Sequence, residues 1–417
     1  MAIEGLDQLK FKEVLKANLT PARAIKDPEH LRGRASMLRT IDRALNSPGR
    51  HIFIFGDRGV GKTSLAQSAA VLHQSADAEP ISIACDGSAK FFQLVQDMAR
   101  GCLPPKGVGQ KTNSTRTLKI GVPGVSYEMV QGIESGVVPL PSTINESISL
   151  LKIVGSMHSK EPVLIVDEFD QLRTTEDKKA FADLIKQVSD QEVPLRMIFC
   201  GIGSALEELI GTHLSTDRYI TPIPLERLSH DARWEIIKSA AEALGVDVSK
   251  ELQIRIGQIS DGFPYYVHLI CEMMFWSLFD DVRNITKCET VHFGDGIRGA
   301  VTEAQTSLRH AYESATQKYS DDYQEVLWAV ADAVLLRRQV SEIFDTSYTR
   351  IMNERKARKV LTKEQFYNRM NALKTERHGK ILIGKGAGWY EFNENVVRGY
   401  VRLRAEQQGI VLGQDHH

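Results

Sequence analysis

The sequence predicts an α/β fold in which the strands of a parallel sheet alternate with helices. Residues 51–66 (HIFIFGDRGVGKTSLA) indicate a buried strand, a glycine-rich loop and the start of a helix. Residues 161–172 (EPVLIVDEFDQL) indicate another buried strand, which ends in two acids. Residues 195–201 (LRMIFCG) form a third apolar run, and helical patterns separate these runs as βαβ units require. The runs 79–87 and 219–225 add two strands, and the second contains prolines, which places it at an edge of the sheet.

The composition is that of an ordinary globular protein. The chain has 417 residues, which is too long for a single core, so we expect two or three domains. Hydrophobic residues make up 42% and charged residues 25%. The net charge of −1 hides any local asymmetry, so it says nothing about a nucleic-acid partner. The longest apolar run is too short for a membrane span, and we expect no signal peptide. The five cysteines form no C-x-x-C pair, which favours the reducing cytoplasm.

The glycine-rich loop fits the pattern G-x-x-x-x-G-K-[ST] and predicts a phosphate site. Its backbone amides and the positive end of the following helix are suited to hold phosphates. Lys62 is placed to reach the β- and γ-phosphates of a nucleotide, and the Thr63 hydroxyl is placed to bind Mg²⁺. The alternative is a chance glycine turn before a helix. The predicted nucleotide-binding residues are Gly56, Asp57, Arg58, Gly59, Val60, Gly61, Lys62, Thr63 and Ser64.

The acids Asp167 and Glu168 end the apolar strand 163–166 and predict the second part of the site. Asp167, beside the glycine-rich loop, can hold Mg²⁺ through water together with Thr63. Glu168 can orient and deprotonate an attacking water, which makes it the predicted catalytic base. The alternative is an ordinary acidic strand end before a helix.

Three further residues are candidates with an alternative structural role. Ser204 follows the strand 195–201, where it is placed to touch the γ-phosphate or the attacking water, or to cap the next helix, and both roles can hold together. Ile25 and Leu31 precede the glycine-rich loop and either cover the adenine or belong to a surface lead-in.

The whole chain is predicted to form three domains. Residues 1–225 contain the glycine-rich loop, residues 226–317 form a helical lid and linker, and residues 318–417 form a winged-helix domain. The Gly-, Pro- and Ser-rich segment 103–142 is a predicted insertion, either a partner-binding hairpin or a spacer. The runs KILIGK and WYEFN flank Gly386–Gly388 and predict a β-hairpin, the wing of a winged helix.

The predicted recognition helix 363–377 and the wing lie in a basic stretch. Residues 350–385 contain eleven lysines and arginines against three acids. This excess is suited to phosphate contacts with DNA. The alternative is a winged helix that docks a protein or locks the lid.

Together these motifs resemble the AAA+ and STAND branch of P-loop ATPases, and most closely origin-initiator-like (ORC/Cdc-type) and archaeal-type ATPases with a D-E-F-D Walker B motif. The resemblance covers about residues 21–407. It implies a sheet in the order 5-1-4-3-2, a helical lid, and a sensor-1 role for Ser204. It also implies that Arg218 supplies an arginine finger to a neighbouring subunit in a homo-oligomer, although a surface arginine is an equally simple interpretation.

One departure from the family concerns the turn Gly262-Phe263-Pro264. Many AAA+ proteins have a sensor-2 arginine on the lid helix near this turn, where this chain has tyrosine. The G-x-P form resembles STAND switches, in which the proline approaches the adenine; Pro264 is also suited to the first position of a helix. We therefore expect a cytoplasmic, ATP-binding and slowly hydrolysing switch that uses ATP/ADP and Mg²⁺ and engages DNA. The alternative is a nucleotide-locked protein that docks a protein partner, such as a defence effector or a transposition factor.

Overall fold

The computed structural model describes residues 3, 6–74, 78–103, 137–211, 216–283, 285–317, 320, 322–355 and 358–413. Most of the predicted insertion 103–142 lies outside the described residues. The chain divides into two compact units. We call the first the sheet unit (Ala24–Gly56 and Gly61–Leu225) and the second the helical unit (Met1–Arg23, Asp57–Val60 and Glu226–His417).

The described elements follow the predicted alternation of strands and helices. The strands are β1 His51–Phe55, β2 Ile81–Ala84, β3 Val163–Asp167, β4 Arg196–Gly201, β5 Ile220–Pro224, β6 Arg338–Gln339, β7 Leu382–Gly384 and β8 Trp389–Phe392. The α-helices are α1 Gln8–Asn18, α2 Ala35–Leu45, α3 Lys62–His73, α4 Phe91–Gly101, α5 Ile144–His158, α6 Thr175–Asp190, α7 Gly203–Gly211, α8 His230–Leu244, α9 Lys250–Ser260, α10 Pro264–Phe279, α11 Thr290–Glu303, α12 Thr306–Thr316, α13 Asp322–Ala331, α14 Val340–Glu342, α15 Thr349–Glu354, α16 Lys363–Ala372 and α17 Val397–Gln407.

The sheet unit contains a parallel five-stranded sheet in the order β2-β3-β4-β1-β5. Read from the other edge, this is the predicted order 5-1-4-3-2, which is confirmed. The register pairs Phe55 of β1 with Gly201 of β4 and with Pro224 of β5, and Ala84 of β2 with Asp167 of β3. The strands therefore end at the same level, and the residues that follow them lie together at the carboxyl end of the sheet.

Aromatic packing fixes the strand ends in the core of the sheet unit. The ring centroid of Phe169, two residues after Asp167, lies 5.8 Å from that of Phe53 and 5.4 Å from those of Phe181 and Phe199. All four rings are fully buried. Edge-to-face pairs of this kind add about 0.5–1.5 kcal/mol each beyond their burial. The backbone on both sides of Glu168 is thus held by β3 and by Phe169.

The helical unit joins the two ends of the chain. Its helix α1, which was not predicted, packs on α8, and the ring of Phe11 stacks on that of Phe279 at 4.3 Å. Among the helices that the structure describes, none combines the length and the apolar composition that a membrane span requires.

The carboxyl-terminal part of the helical unit contains an antiparallel sheet in the order β6-β8-β7. The pairing of Leu382 with Phe392 confirms the predicted hairpin. The predicted helix 363–377 is shorter than expected, because it ends at Ala372. The chain turns there to bury His378, whose Nδ1 lies 3.0 Å from the Ala315 carbonyl oxygen. The winged-helix interpretation stays a prediction.

Candidate functional site

The glycine-rich loop follows β1 and has the backbone conformation that its glycines predict. The Gly56 N–H donates a 3.3 Å hydrogen bond to the carbonyl of Gly201, which ends β4. Gly59 and Gly61 have φ of +84° and +100°, a region that residues with a Cβ rarely adopt. Helix α3 begins at Lys62, so its free amino-terminal N–H groups come directly after the loop, in the arrangement that binds anions.

Lys62, Thr63 and Asp167 are brought together at this edge of the sheet. The Thr63 hydroxyl donates a 2.6 Å hydrogen bond to Asp167 Oδ2, although 104 positions separate the two residues. The Lys62 Nζ donates to the Gly56 carbonyl at 2.9 Å. A hydroxyl and a carboxylate are ligands that Mg²⁺ accepts, and a lysine on the loop is a phosphate ligand. The residues present therefore fit a magnesium nucleotide.

Glu168 has a strained backbone at the end of β3. Its φ is +52°, which costs a residue with a Cβ about 1–2 kcal/mol. Its N–H donates a 2.9 Å hydrogen bond to Asp167 Oδ1, and its side chain is exposed. Such strain persists where the surroundings impose it and is concentrated at functional sites. The exposed carboxylate is able to receive a proton from a water molecule.

Ile25 lies against helix α3. Its N–H donates to the Ser64 hydroxyl at 3.1 Å, and its carbonyl accepts from the Ser68 hydroxyl at 3.0 Å. Ser64 was predicted as a loop ligand, and its hydroxyl instead holds the segment before β1. Sequence reasoning missed Ser68, although its spacing of four residues from Ser64 places both on one face of α3. Leu31 is half-buried and follows a short 3₁₀ turn that packs on α3.

The loop tip, Asp57–Val60, belongs to the helical unit and contacts the residues just before α17. The Asn395 Nδ2 donates a 3.0 Å hydrogen bond to Asp57 Oδ2, and Arg58 NH1 lies 3.7 Å from Glu394 Oε2. A Cβ on Gly59 would lie only 2.9 Å from the Val396 Cγ2. Sequence reasoning missed the segment 394–396, and no local motif marks it.

Pro264 occupies the first turn of α10, as its alternative interpretation predicted. The preceding residue, Phe263, is fully buried, and its Cδ1 lies 3.6 Å from the position that a Cβ on Gly59 would take. The G-x-P turn therefore lies near the loop tip within the helical unit.

The comparisons with known proteins agree with this geometry. The family model described as AAA domain matches residues 43–210. Residues 43–210 form an AAA domain. The predicted resemblance to AAA+ P-loop ATPases is thus confirmed for this part of the chain.

The fold likeness extends beyond the AAA domain. The Walker-type ATPase of Pyrococcus abyssi shares 17% identity at a TM-score of 0.56, covering 91% of this chain and 99% of its own. The ORC2 protein of Aeropyrum pernix, solved as ADPNP–ADP complexes, shares 14% identity at a TM-score of 0.49, with 96% and 99% covered. The ORC1 protein of the same organism, in complex with DNA, shares 12% identity at 0.45, with 91% and 95% covered. A search of curated proteins gives no match.

Ser204 lies in the first turn of α7, inside the AAA domain. The helix begins at Gly203, and the Ala205 N–H donates to the Ile202 carbonyl at 3.1 Å. Ile202 therefore takes the position before the helix, and the prediction that Ser204 caps it is wrong. The Ser204 side chain is exposed.

Arg218 lies at the amino-terminal ends of the strands, whereas the glycine-rich loop lies at their carboxyl ends. It precedes Ile220, which pairs with His51 at the start of β1, whereas the loop follows Phe55. The length of strand β1, about 13 Å, separates these two ends of the sheet. The exposed guanidinium stacks on the ring of Tyr219 at 4.7 Å. Arg218 is therefore not brought together with Lys62 in one chain.

Two buried thiols flank the carboxylates of the AAA domain. Burial, followed by the charge of Asp167, raises the pKa of the Cys85 thiol to about 12. Burial also raises the pKa of the Cys200 thiol well above its usual value. Both stay protonated at neutral pH, so the site's chemistry rests on its carboxylates and not on a thiolate.

The basic stretch 350–385 is less positive than its sequence predicts. Five acids outside the stretch, including Glu325 and Asp332, form ion pairs with it, as does Glu376 within it. At least seven of its eleven cations are paired in the described structure: Arg350, Arg355, Arg358, Lys363, Arg369, Lys380 and Lys385. A window of sequence counts only its own acids, and the fold adds those of α13, of residues 332 and 345, and of β8.

Proposed function

We propose that this chain binds ATP with Mg²⁺ at the glycine-rich loop and hydrolyses it slowly, as a cytoplasmic switch whose nucleotide state controls assembly and DNA engagement. The observation that carries this proposal is the 2.6 Å hydrogen bond between Thr63 and Asp167. It joins the hydroxyl after the loop lysine to the carboxylate that ends β3. This is the pair that a magnesium-dependent phosphoryl transfer needs.

Each residue then has a role in the reaction. The loop amides and the start of α3 bind the phosphates, and Lys62 exchanges the Gly56 carbonyl for phosphate oxygens. Thr63 and Asp167 would hold Mg²⁺, which would supply positive charge against the charge that develops on the phosphate oxygens. Glu168 orients the attacking water and accepts its proton.

The catalytic assignment is tested by Glu168→Gln. We expect this variant to bind ATP as the wild type does and to lose turnover by about 100-fold or more, because the amide accepts no proton. Calorimetry gives the affinity and phosphate release gives the turnover. Glu176→Gln, an exposed acid eight residues further on, is the matched control. Unchanged turnover in Glu168→Gln refutes the role of base.

Slow turnover is supported by the residues after the G-x-P turn. The Tyr266 hydroxyl donates a 2.7 Å hydrogen bond to the Val396 carbonyl and is fully buried. The Tyr266 hydroxyl is therefore occupied by a hydrogen bond within the helical unit, and a tyrosine supplies no positive charge to a phosphate. We expect slow hydrolysis because tyrosine stands where the resemblance implies a sensor-2 arginine.

Assembly is supported by the exposure of Arg218 at the amino-terminal ends of the strands, away from the glycine-rich loop of its own chain. An arginine finger in that position acts on the nucleotide of a neighbouring copy. Light scattering with and without ATP tests it: a mass that rises with ATP supports the proposal, and a constant monomer mass contradicts it.

A second candidate is a regulatory protein that binds nucleotide with little hydrolysis and docks a protein partner. The ion pairs across the stretch 350–385 favour it, because paired cations are less available to DNA phosphates. An electrophoretic shift separates the two candidates. DNA affinity that falls at least ten-fold between low and moderate salt supports DNA engagement. Absent or salt-independent binding, with no effect of DNA on turnover, supports the second candidate.

A further inference from the structure

Helices α12 and α17 pack on each other in the helical unit and bring two tyrosines together. The ring centroids of Tyr312 on α12 and Tyr400 on α17 lie 5.7 Å apart with an interplanar angle of 76°, and both side chains are buried. The Arg404 guanidinium lies over the Tyr312 ring, 5.3 Å from its centroid. A second arginine, Arg309, precedes Tyr312 on α12.

Both arginines act on the Tyr400 hydroxyl, although they come from different helices. Burial raises the pKa of Tyr400, and the positive charges of Arg404 and Arg309 oppose this rise. The carboxylate of Glu313 acts in the other direction. The hydroxyl is therefore influenced by two cations and one carboxylate, so positive charge is in excess around it.

Three buried hydrogen-bond donors at this place lack an acceptor. The Nε atoms of Arg309 and Arg404 and the Tyr400 hydroxyl make no hydrogen bond, and neither arginine forms an ion pair in the described part of the chain. A guanidinium only donates, so the nearby Arg404 cannot accept the hydroxyl proton. Other buried arginines differ: Arg398, for example, donates to carbonyl oxygens and pairs with a carboxylate. Since buried donors without an acceptor cost free energy, this cluster is suited to a ligand that supplies acceptors.

We propose that Arg309, Arg404 and Tyr400 bind a small free oxyanion of the phosphate class between α12 and α17. Guanidinium groups match the geometry of phosphate, whose several oxygens are able to accept from all three donors. Both arginines are half-buried, so an anion reaches them from solvent. The Tyr400 hydroxyl is fully buried, which favours a small anion over a DNA phosphate that carries a sugar on each side. None of these residues belongs to the glycine-rich loop, so the inference goes beyond the proposed ATP site.

The first test is calorimetry of the full chain with inorganic phosphate at constant ionic strength. We expect a Kd of about 1 mM or lower. Arg309→Gln and Tyr400→Phe each raise this Kd about ten-fold, because each removes one of the three donors. Acetate, which has two oxygens and a single charge, binds about ten-fold more weakly than phosphate. Arg298→Gln removes an exposed cation of α11 and is the matched control, for which the Kd stays unchanged.

Thermal unfolding without phosphate separates an anion site from a structural role of the hydroxyl. A hydroxyl that has no acceptor contributes no hydrogen bond, so we expect Tyr400→Phe to melt within about two degrees of the wild type. Added phosphate then raises the melting temperature of the wild type more than that of Tyr400→Phe, because it binds the folded wild type more tightly. A clearly lower melting temperature of Tyr400→Phe without phosphate overturns the proposal, because the hydroxyl is then bonded within the protein.

The remaining outcomes separate this site from the glycine-rich loop and from DNA. Phosphate binding that persists in Lys62→Ala and weakens in Arg309→Gln supports the proposal. Binding that is lost in Lys62→Ala and unchanged in Arg309→Gln belongs to the loop and overturns it, as does the absence of phosphate binding. Equal affinities for acetate and phosphate overturn the assigned class of anion. Duplex DNA with 5′-hydroxyl ends is the last probe: DNA binding that depends on Tyr400, in a protein that binds no free phosphate, also overturns the proposal.

Discussion

The backbone N–H of Glu168 donates a 2.9 Å hydrogen bond to the carboxylate of Asp167, the residue before it. This bond occupies Oδ1 and leaves Oδ2 to accept from Thr63. Two adjacent acids are thus given different roles, since one is oriented towards the loop and the other is exposed at the strand end.

Asp167→Asn tests the metal role. An amide is a weaker Mg²⁺ ligand than a carboxylate, so we expect the gain in ATP affinity on adding Mg²⁺ to fall about ten-fold or more. Calorimetry with Mg²⁺ and with EDTA measures this gain. Asp217→Asn, an exposed acid in the same unit, controls for the loss of one charge. A gain equal to that of the wild type contradicts the assignment.

Lys62→Ala tests the phosphate contact. The Lys62 ammonium donates to the Gly56 carbonyl, and we expect it to be replaced by phosphate oxygens when ATP binds. Loss of a charged hydrogen-bonding group costs about 1.5–3 kcal/mol, which is about a ten- to hundred-fold rise in Kd. Calorimetry measures the change, with Lys26→Ala as the control, since Lys26 is an exposed cation outside the loop. Equal affinities for Lys62→Ala and the wild type are inconsistent with the site.

His51→Gln tests acid sensitivity of the sheet unit. The ring is fully buried, and its Nδ1 accepts from the Met197 N–H while Nε2 lies 3.2 Å from the Ser189 hydroxyl. Burial, and then the charge of Arg196, lowers the pKa of His51 to about 3. A proton on Nδ1 would face the Met197 N–H.

The sign follows from proton linkage. Below its ordinary pKa of 6.5, His51 takes up a proton when unfolded and not when folded, so its contribution is present above pH 6.5 and is lost as the pH falls towards 3. Between pH 7.5 and pH 5 the loss is about 2 kcal/mol. Urea unfolding at the two pH values measures it. We expect the loss to be smaller by that amount in His51→Gln and unchanged in His310→Gln, whose side chain is exposed. Equal losses in all three proteins would rule the explanation out.

Asp261→Asn tests a buried ion cluster in the helical unit. The Asp261 carboxylate lies 2.6 Å from Arg227, 3.0 Å from Arg398 and 3.2 Å from Arg402, and all but Arg227 are buried. Burial lowers the pKa of Arg398 to about 9, so its charge depends on this carboxylate. Removing the carboxylate takes the negative charge away from the buried arginines, and we expect a loss of about 3–5 kcal/mol in the free energy of unfolding.

Chemical denaturation measures this loss. Asp345→Asn, which breaks the exposed pair with Lys363, should cost less than about 1 kcal/mol. A similar small cost for Asp261→Asn would show that the cluster contributes little.

The strands and site residues that were predicted correctly are those that depend on the local sequence pattern. Strand β1 was predicted, because its apolar run is bounded by a glycine loop, and Thr63 and Asp167 were predicted to share a magnesium site, which agrees with the hydrogen bond between them. Asn395 could not be found this way, because nothing near residue 395 indicates that it lies beside residue 57. The charge of the stretch 350–385 was overestimated for the same reason, since partners such as Glu325 come from other elements.

The packing of Phe11 on Phe279 has a consequence for the order of folding during synthesis. The ribosome releases α1 before the sheet unit, whereas the Phe279 ring on which Phe11 packs emerges only after the whole sheet unit has been made. Domains generally fold as they emerge. Phe11 therefore lacks its ring partner, and this side of α1 stays exposed to water, or to a chaperone, until α10 is complete. A nascent chain that stalls before α8 has been made presents the apolar face of α1 without α8 or α10, and this is the form of the protein that we expect cellular quality control to recognise.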